Sequence, residues 1–318
     1  MYILDGLEIA VEEAKQAADS IRSPALQPIA SVFARNVDEL LNLLSLPLAL
    51  VLVGRFEVNR LADYTRAIAR TEGAERWQES EEVKARVEAE VNRLRDERAA
   101  KAQSRSPELV EAKQQLEHLL GDHGLEGSAR ALLYAGASSA WSFLECAVKD
   151  AWIAALNVRP VELAHSALEN VPDIPVVDGL SGKQVSVGLL ARHGFDLRDK
   201  LGTLLAPKFD FTSPSGIRAA CSAAFGKLPG LDDALADPRL RRLEATRHLV
   251  VHRAGVIDEE YLRRTGDGAA IGSQLVVDGP AVSELANAAI SAGSKVLRLV
   301  DAWLVEHPPR VQDQGGEA

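Results

Sequence analysis

Alanine and leucine dominate this sequence, whereas aromatic residues are few and runs of β-branched residues are rare. Alanine and leucine rank among the best helix formers, and strands are enriched in the β-branched and aromatic residues that are scarce here. The composition therefore predicts an all-α fold with at most one short strand or hairpin. The only stretch that suggests a strand is Gln-Leu-Val-Val at 274–277.

Length and charge limit the class of protein. The chain has 318 residues, which is enough for one large domain or two ordinary ones. Hydrophobic residues make up 47% and charged residues 26%, the balance of an ordinary globular protein. The formal charge of −10 argues against a protein that coats nucleic acid through bulk electrostatics, although it leaves room for a local basic site.

The sequence indicates neither a disulfide framework nor a targeting segment. The two cysteines, Cys146 and Cys221, are too few for such a framework and form no Cys-x-x-Cys pair. The N-terminus lacks the basic and then apolar segments of a secretory signal. We therefore expect a cytoplasmic protein with no membrane association. Cys146 lies in an apolar helical pattern, so we expect an inert core thiol.

The most apolar stretch runs from Leu40 to Val53. It is shorter than the roughly 20 residues that a membrane-spanning helix needs, and Pro47 interrupts it. The pattern favours a buried core helix that ends before Pro47, followed by a second helix to about Thr71.

We expect three regions along the chain. Residues 1–124 form an N-terminal helical region, in which a long charged helix covers about 75–120 or is broken near Pro107. The apolar stripe of that helix is too short for a coiled coil, which favours a solvated surface helix over an arm that packs on a partner. Residues 125–306 form a helical bundle that opens with an apolar helix at 128–157, and residues 307–318 form a disordered tail.

The sequence contains neither a complete phosphate loop nor a histidine pair suited to a metal. The segment 179–183 resembles a phosphate loop but lacks its first glycine and the Ser or Thr after the lysine. His118 and His123 are five residues apart and so lie on different faces of a helix, which disfavours a metal site. We expect neither a metal nor a cofactor.

One polar motif lies within an otherwise apolar helical segment. Arg247 is followed directly by His248 and, after three apolar residues, by His252. Arginine holds phosphate with a planar, permanently charged fork, and histidine exchanges protons near neutral pH. Together they suit metal-free cleavage of an RNA backbone, with a 2′-hydroxyl as nucleophile, His252 as the proton-transfer group and Arg247 stabilising the phosphoryl oxygens.

The surroundings of this motif are basic within an acidic protein, which is the local footprint that an RNA site requires. Arg239, Arg242 and Arg253 are the candidate RNA-binding residues, and Arg241, Arg263 and Arg264 lie close by in sequence. The spacing leaves a difficulty, because five residues rotate roughly 140° around a helix. Three features would each bring the side chains of Arg247 and His252 together: the length of the arginine, a helix end near Gly255, or two copies of the helix that meet in a dimer.

The segment 243–265 resembles the HEPN superfamily, whose signature is an arginine, a polar residue and a histidine four to six residues after the arginine. Arg247, His248 and His252 match it, and the following Ala-Gly-Val-Ile-Asp-Glu-Glu-Tyr is similar to the continuation in bacterial members. The upstream helix at 138–152 is similar to the family's earlier core helix, in which Glu145 takes the place of the polar residue that faces the motif. The likeness covers about 125–305.

The resemblance implies an antiparallel helical bundle, a homodimer that brings two motifs together and, in active members, metal-independent endoribonuclease activity. It also suggests a toxin or a phage-defence effector with an antitoxin or defence partner. Two alternatives stay open. In the first, the chain is a non-catalytic module that binds RNA, a nucleotide or a partner protein. In the second, the motif is structural: Arg247 pairs with Glu145 or Glu244, and the hydrogen bonds of His252 are satisfied at the helix end.

Overall fold

The computed structural model describes residues 7–73, 80–101, 107–122, 124–170, 180–181, 184–185, 187–192 and 194–308. The described residues form thirteen α-helices, which confirms the predicted all-α class. The long helices are α1 (Val11–Ser20), α2 (Gln27–Arg70), α3 (Glu81–Lys101), α4 (Pro107–Asp122), α5 (Glu126–Val158), α9 (Pro214–Phe225), α11 (Pro238–Arg253) and α13 (Gly279–Glu306). The short ones are α6 (His165–Glu169), α7 (Val187–Arg192), α8 (Leu201–Leu205), α10 (Leu231–Ala234) and α12 (Glu259–Thr265).

Extended structure in the described residues is confined to one small hairpin and one isolated bridge. The hairpin pairs β1 (Leu180–Ser181) with β2 (Gln184–Val185) in antiparallel fashion. The strand predicted at 274–277 is wrong, because only Gln274 forms a bridge, with Val256. The residues on either side of this bridge do not continue the ladder.

The chain divides into two compact units. One comprises residues 44–129, and the other comprises residues 7–43 together with the described part of 130–308. The expected N-terminal region 1–124 is therefore split, because its first helices fold with the C-terminal half. The predicted tail 307–318 lies outside the described residues except for its first two.

Helix α1 belongs to the second unit because polar side chains of α13 hold the chain on both sides of it. The amide of Glu8 donates to Oγ of Ser283 at 2.9 Å, and the amide of Ala10 donates to Oδ1 of Asn287 at 2.8 Å. At the other end, the buried Asp301 accepts the amides of residues 22 and 23 through Oδ1. These long-range bonds satisfy backbone groups that no helix pairs.

The core of this unit is built from small residues on α13. Its buried face is rich in alanine and includes Gly293. A Cβ atom at Gly293 would lie 2.7 Å from Cζ of Phe33 on α2 and 3.5 Å from Cδ1 of Leu144 on α5. The missing side chain thus lets three helices meet at one point.

The first unit contains the later part of α2 together with α3 and α4. Ala67 of α2 packs on Val87 and Leu94 of α3, with four partly buried residues, Tyr64, Ile68, Val83 and Val91, around them. The apolar stripe predicted on the charged helix therefore packs against α2 of the same chain. Of the two forms predicted for 75–120, the one with a break near Pro107 is confirmed, because α3 ends at Lys101 and α4 begins at Pro107. Residues 102–106 lie outside the described residues.

The apolar stretch 40–53 does not form the buried helix that was expected. Helix α2 continues through Pro47, although proline removes one backbone hydrogen bond, and within 40–53 only Leu40 and Leu44 are buried. Leu46, Leu50 and Val53 are exposed. By length and composition α2 could cross a membrane, with a mean hydropathy of 1.8 over 18 residues of which 17% are buried. Core helices of globular proteins share this length and composition.

Gly293→Ala should destabilise the second unit by about 1–3 kcal/mol, because the added methyl group overlaps the Phe33 ring in a packed core. Chemical denaturation followed by far-UV circular dichroism measures the change. Gly54→Ala is the matched control: no atom lies within 4 Å of its Cβ position, and it is also helical. It should be neutral or stabilise by up to about 1 kcal/mol. Equal effects of the two changes would contradict the packing argument.

Candidate functional site

Local signals set both ends of α11, the helix that carries the motif. Asp237 caps the N-terminus, where its Oδ1 accepts the amide of Arg239 at 2.9 Å, and Pro238 occupies the first helical position. An acidic capping residue followed by proline is a common way for a helix to begin. The helix ends at Ala254 and Gly255, which take left-handed φ angles of 52° and 80°.

The end of α11 is fixed by contacts with α5 and with the loop around residue 274. Nε2 of Gln274 donates to the carbonyl of Ala254 at 2.8 Å and to the hydroxyl of Tyr134 at 3.0 Å. That hydroxyl donates to the carbonyl of Leu275 at 2.6 Å. Leu249, on the inner side of α11, packs in the same cluster. The end of the motif helix is therefore held rigidly.

Arg247 faces Glu145 on α5. Its Nη2 lies 3.7 Å from Oε2 of Glu145, and the two side chains are 33% and 22% exposed. The same carboxylate oxygen accepts the indole N–H of Trp141 at 3.2 Å. The residue singled out on the upstream helix thus contacts the motif arginine. The pair is half-buried, and among the described residues this contact leaves most of the guanidinium donors uncommitted.

The two histidines of the motif lie together on the surface. The His248 and His252 rings have centroids 4.7 Å apart at an interplanar angle of 50°, and both residues are exposed. Their separation of one helical turn makes this contact a direct result of the sequence. Glu244, one turn before His248 on α11, binds Arg264 at 2.6 Å.

The structure does not join the arginine of the motif to its histidines. No hydrogen bond or ion pair links Arg247 to His248 or His252 in the described part of the chain. The regular helix explains this, since His252 is rotated about 140° from Arg247. Within one chain the motif therefore consists of two pairs, Arg247 with Glu145 and His248 with His252.

Each arginine predicted to bind RNA lies beside a group of its own chain. Nη2 of Arg239 binds Oδ2 of Asp237 at 2.6 Å, which raises the pKa of the arginine. Nε of Arg253 lies 3.5 Å from Oδ2 of Asp258. Arg242 lies near Tyr261, whose pKa is raised by burial although the charge of Arg242 opposes this. Two of the three arginines therefore pair with a carboxylate of their own chain.

A different set of arginines does converge. Arg218, Arg241, Arg263 and Arg264 line a cavity of about 370 Å³ together with Glu244. Three of these arginines are conspicuous in the sequence around the motif, but Arg218 lies on α9 and is distant in sequence. Only the packing of α9 against this region brings it into the cluster, and no local pattern signals that packing.

Cys146 is exposed, so the expectation of a core thiol is wrong. It shares a face of α5 with Asp150, one turn later, and that polar spacing is the signal that could have shown it. Burial of the sulfur and the carboxylates of Asp150 and Glu145 raise its pKa, so it is not an activated thiolate. Among the described residues, no group of three or more His, Cys, Asp or Glu side chains could hold a metal ion.

The two thiols should differ in reactivity. A disulfide reagent at pH 8 should modify Cys146 alone in the native protein, and slowly, because its pKa is raised. Cys221 is buried and its pKa is raised to about 12 by burial, so it should react only in denaturant. Counting modified thiols by mass spectrometry checks this, with Cys146→Ser as the control that should abolish native labelling. Two reactive native thiols would contradict the packing of α9.

The contact between Glu145 and Arg247 should contribute about 0.5–1 kcal/mol, since both side chains are partly exposed. A double-mutant cycle with Glu145→Gln, Arg247→Gln and the double variant measures it through denaturant unfolding. A coupling above about 2 kcal/mol would instead identify the arginine as chiefly structural.

Comparison of the chain with protein-family models, with curated proteins and with solved structures finds no match.

Proposed function

We propose that this protein is a metal-independent endoribonuclease of the HEPN type. The observation that carries the proposal is the pair of exposed histidine rings, His248 and His252, fixed 4.7 Å apart at the end of α11. Arg247 directly precedes His248 and keeps free donors for a phosphate. Proton transfer and charge stabilisation are the two tasks that RNA cleavage without a metal requires.

The reaction is an internal displacement that needs no further reactant. His252 removes the proton of the 2′-hydroxyl, and the 2′-oxygen forms a bond to phosphorus. The bond from phosphorus to the 5′-oxygen breaks, and that oxygen takes a proton from an acid, for which His248 is the nearest candidate. The products carry a 2′,3′-cyclic phosphate and a 5′-hydroxyl.

Arg247 stabilises the charge on the non-bridging oxygens in this scheme, and Glu145 is its positioning residue. A carboxylate 3.7 Å away limits the orientations of the guanidinium, while Trp141 holds the carboxylate. A long, flexible arginine gains most from such support when it must meet a planar phosphate edge.

The resemblance extends the proposal to assembly and biology. A homodimer through the helical bundle would place two α11 ends together, so that Arg247 of one copy serves the histidines of the other. In this proposal the substrate is RNA and the protein acts inside the cell. The protein is then a toxin or a phage-defence effector, and an antitoxin or a defence partner controls it. Sedimentation velocity tests the dimer independently of any activity.

The alternative is a non-catalytic HEPN module that binds RNA, a nucleotide or a partner protein. One observation favours it: Arg247 contacts Glu145 and, in the described part of the chain, makes no hydrogen bond to either histidine. Such a module would keep its ligand affinity when His252 is replaced, whereas an enzyme would lose its rate.

Labelled transfer RNA and messenger RNA should be cleaved by the wild-type protein in the presence of a chelator. His252→Ala should lower the rate by about 10²-fold or more, because the proton-transfer group is gone, and Arg247→Ala should also abolish detectable cleavage. Gel analysis of the products, with end-group treatment that identifies the 2′,3′-cyclic phosphate, is the measurement.

His165→Ala is the matched control, because His165 is exposed on α6 in the same unit and, among the described residues, pairs with Glu169 at 3.4 Å and with no other charged group. It should cleave like the wild type. Circular dichroism of each variant must show an intact fold. Equal cleavage by wild type and His252→Ala would refute the proposed site, and no cleavage by a wild-type dimer would favour the binding module.

A further inference from the structure

The cavity that the arginines line lies beside the starts of α9 and α11. Its volume is about 370 Å³, and Arg218, Arg241, Glu244, Arg263 and Arg264 point charged groups at it. Four guanidinium groups thus face a single lining carboxylate. Like charges repel, so their convergence requires compensation from neighbouring acids or from a bound anion.

Three of the arginines are held in place by carboxylates. Nε of Arg218 binds Oδ1 of Asp232 at 2.6 Å, and Nη2 of Arg264 binds Oε1 of Glu244 at 2.6 Å. Nη2 of Arg263 binds Oε1 of Glu260, also at 2.6 Å. Each contact uses one or two of the five donors of a guanidinium, so the remaining donors stay available to a ligand.

Arg241 differs from the other three. No hydrogen bond or ion pair engages its side chain in the part of the chain that the structure describes. Counting the three carboxylates, the cluster keeps one positive charge in excess. Ser215, in the first turn of α9, also lines the cavity, and the carboxylate of Asp210 lies at the same end of that helix, where it accepts the hydroxyl of Ser213 at 2.6 Å.

The cavity shares a helix face with the histidine pair. His248 follows Arg241 by seven residues, so the two side chains differ in direction around the helix axis by only about 20°. His252 follows Arg241 by eleven residues and differs by about 20° in the opposite sense. The rise along the axis is about 10 Å from Arg241 to His248 and about 16 Å to His252. All three residues are exposed. A strand lying along α11 would touch the cavity and the histidines in turn.

We propose that this cavity binds a backbone phosphate of single-stranded RNA whose neighbouring nucleotides reach His248 and His252. The inference rests on the proposed function and deepens it by adding a second contact point on the substrate. Guanidinium groups match phosphate oxygens in two-point contacts, and grooves of positive charge are the usual way of holding an RNA strand. Arg241 is the group free to make that contact.

The test is the binding of a fully 2′-O-methylated single-stranded RNA, which keeps every phosphate but lacks the nucleophile. Fluorescence anisotropy at several salt concentrations gives the affinity and its salt dependence. Arg241→Gln should weaken binding about tenfold, as expected for a charge-assisted contact. The slope of log K against log salt should fall by about 0.7, because one phosphate contact is lost.

Arg35→Gln is the matched control, since Arg35 is exposed in the same unit and lies outside the cavity, and the change removes the same charge. It should leave affinity and slope close to those of the wild type. Equal losses in both variants, or no loss in Arg241→Gln, would overturn the proposal. So would tight binding of adenosine monophosphate that depends on Arg241 while RNA binding does not.

Failure of this proposal and failure of the ribonuclease proposal look different. Loss of binding in Arg241→Gln without any cleavage of ordinary RNA would keep the phosphate site and reject the enzyme. Cleavage that depends on His252 but not on Arg241, with unchanged binding, would keep the enzyme and reject the phosphate site.

Discussion

Close packing against α13 is the constraint on which the second unit depends. The absence of a side chain at Gly293 lets the Phe33 ring of α2 and Leu144 of α5 reach the same stretch of α13. Helix α11 also packs on α13. Leu144 directly precedes Glu145, so the helix that packs at this point also carries the carboxylate that contacts Arg247.

Much of this fold is readable from local chemistry. Asp237 caps α11 and Asp278 caps α13, and such starts can be recognised in a sequence because a capping side chain acts on amides within a few residues. Pro47 misled, since one lost hydrogen bond does not stop a helix that other contacts sustain. The pairing of α1 with α13 had no local signal, because it depends on bonds between residues almost the whole chain apart.

In the candidate site, too, some contacts follow from local sequence and others depend on residues far apart in the chain. The contact of Glu145 with Arg247 matches the facing polar residue that the resemblance suggests, and the His248–His252 contact follows from helical spacing. The basic cavity was only partly visible, because Arg218 reaches it from another helix. Two of the three arginines predicted from the sequence, Arg239 and Arg253, instead pair with nearby carboxylates.

The end of α11 has a consequence for how this sequence can drift over evolutionary time. Ala254 and Gly255 are both left-handed, but they differ in freedom. Ala254 already bears the roughly 1–2 kcal/mol cost of that conformation, so exchange to glycine or asparagine would be tolerated or selected. At Gly255 a Cβ atom would lie 2.5 Å from the hydroxyl of Tyr134. Descendants of this chain that keep Tyr134 should therefore keep Gly255, whereas position 254 should vary.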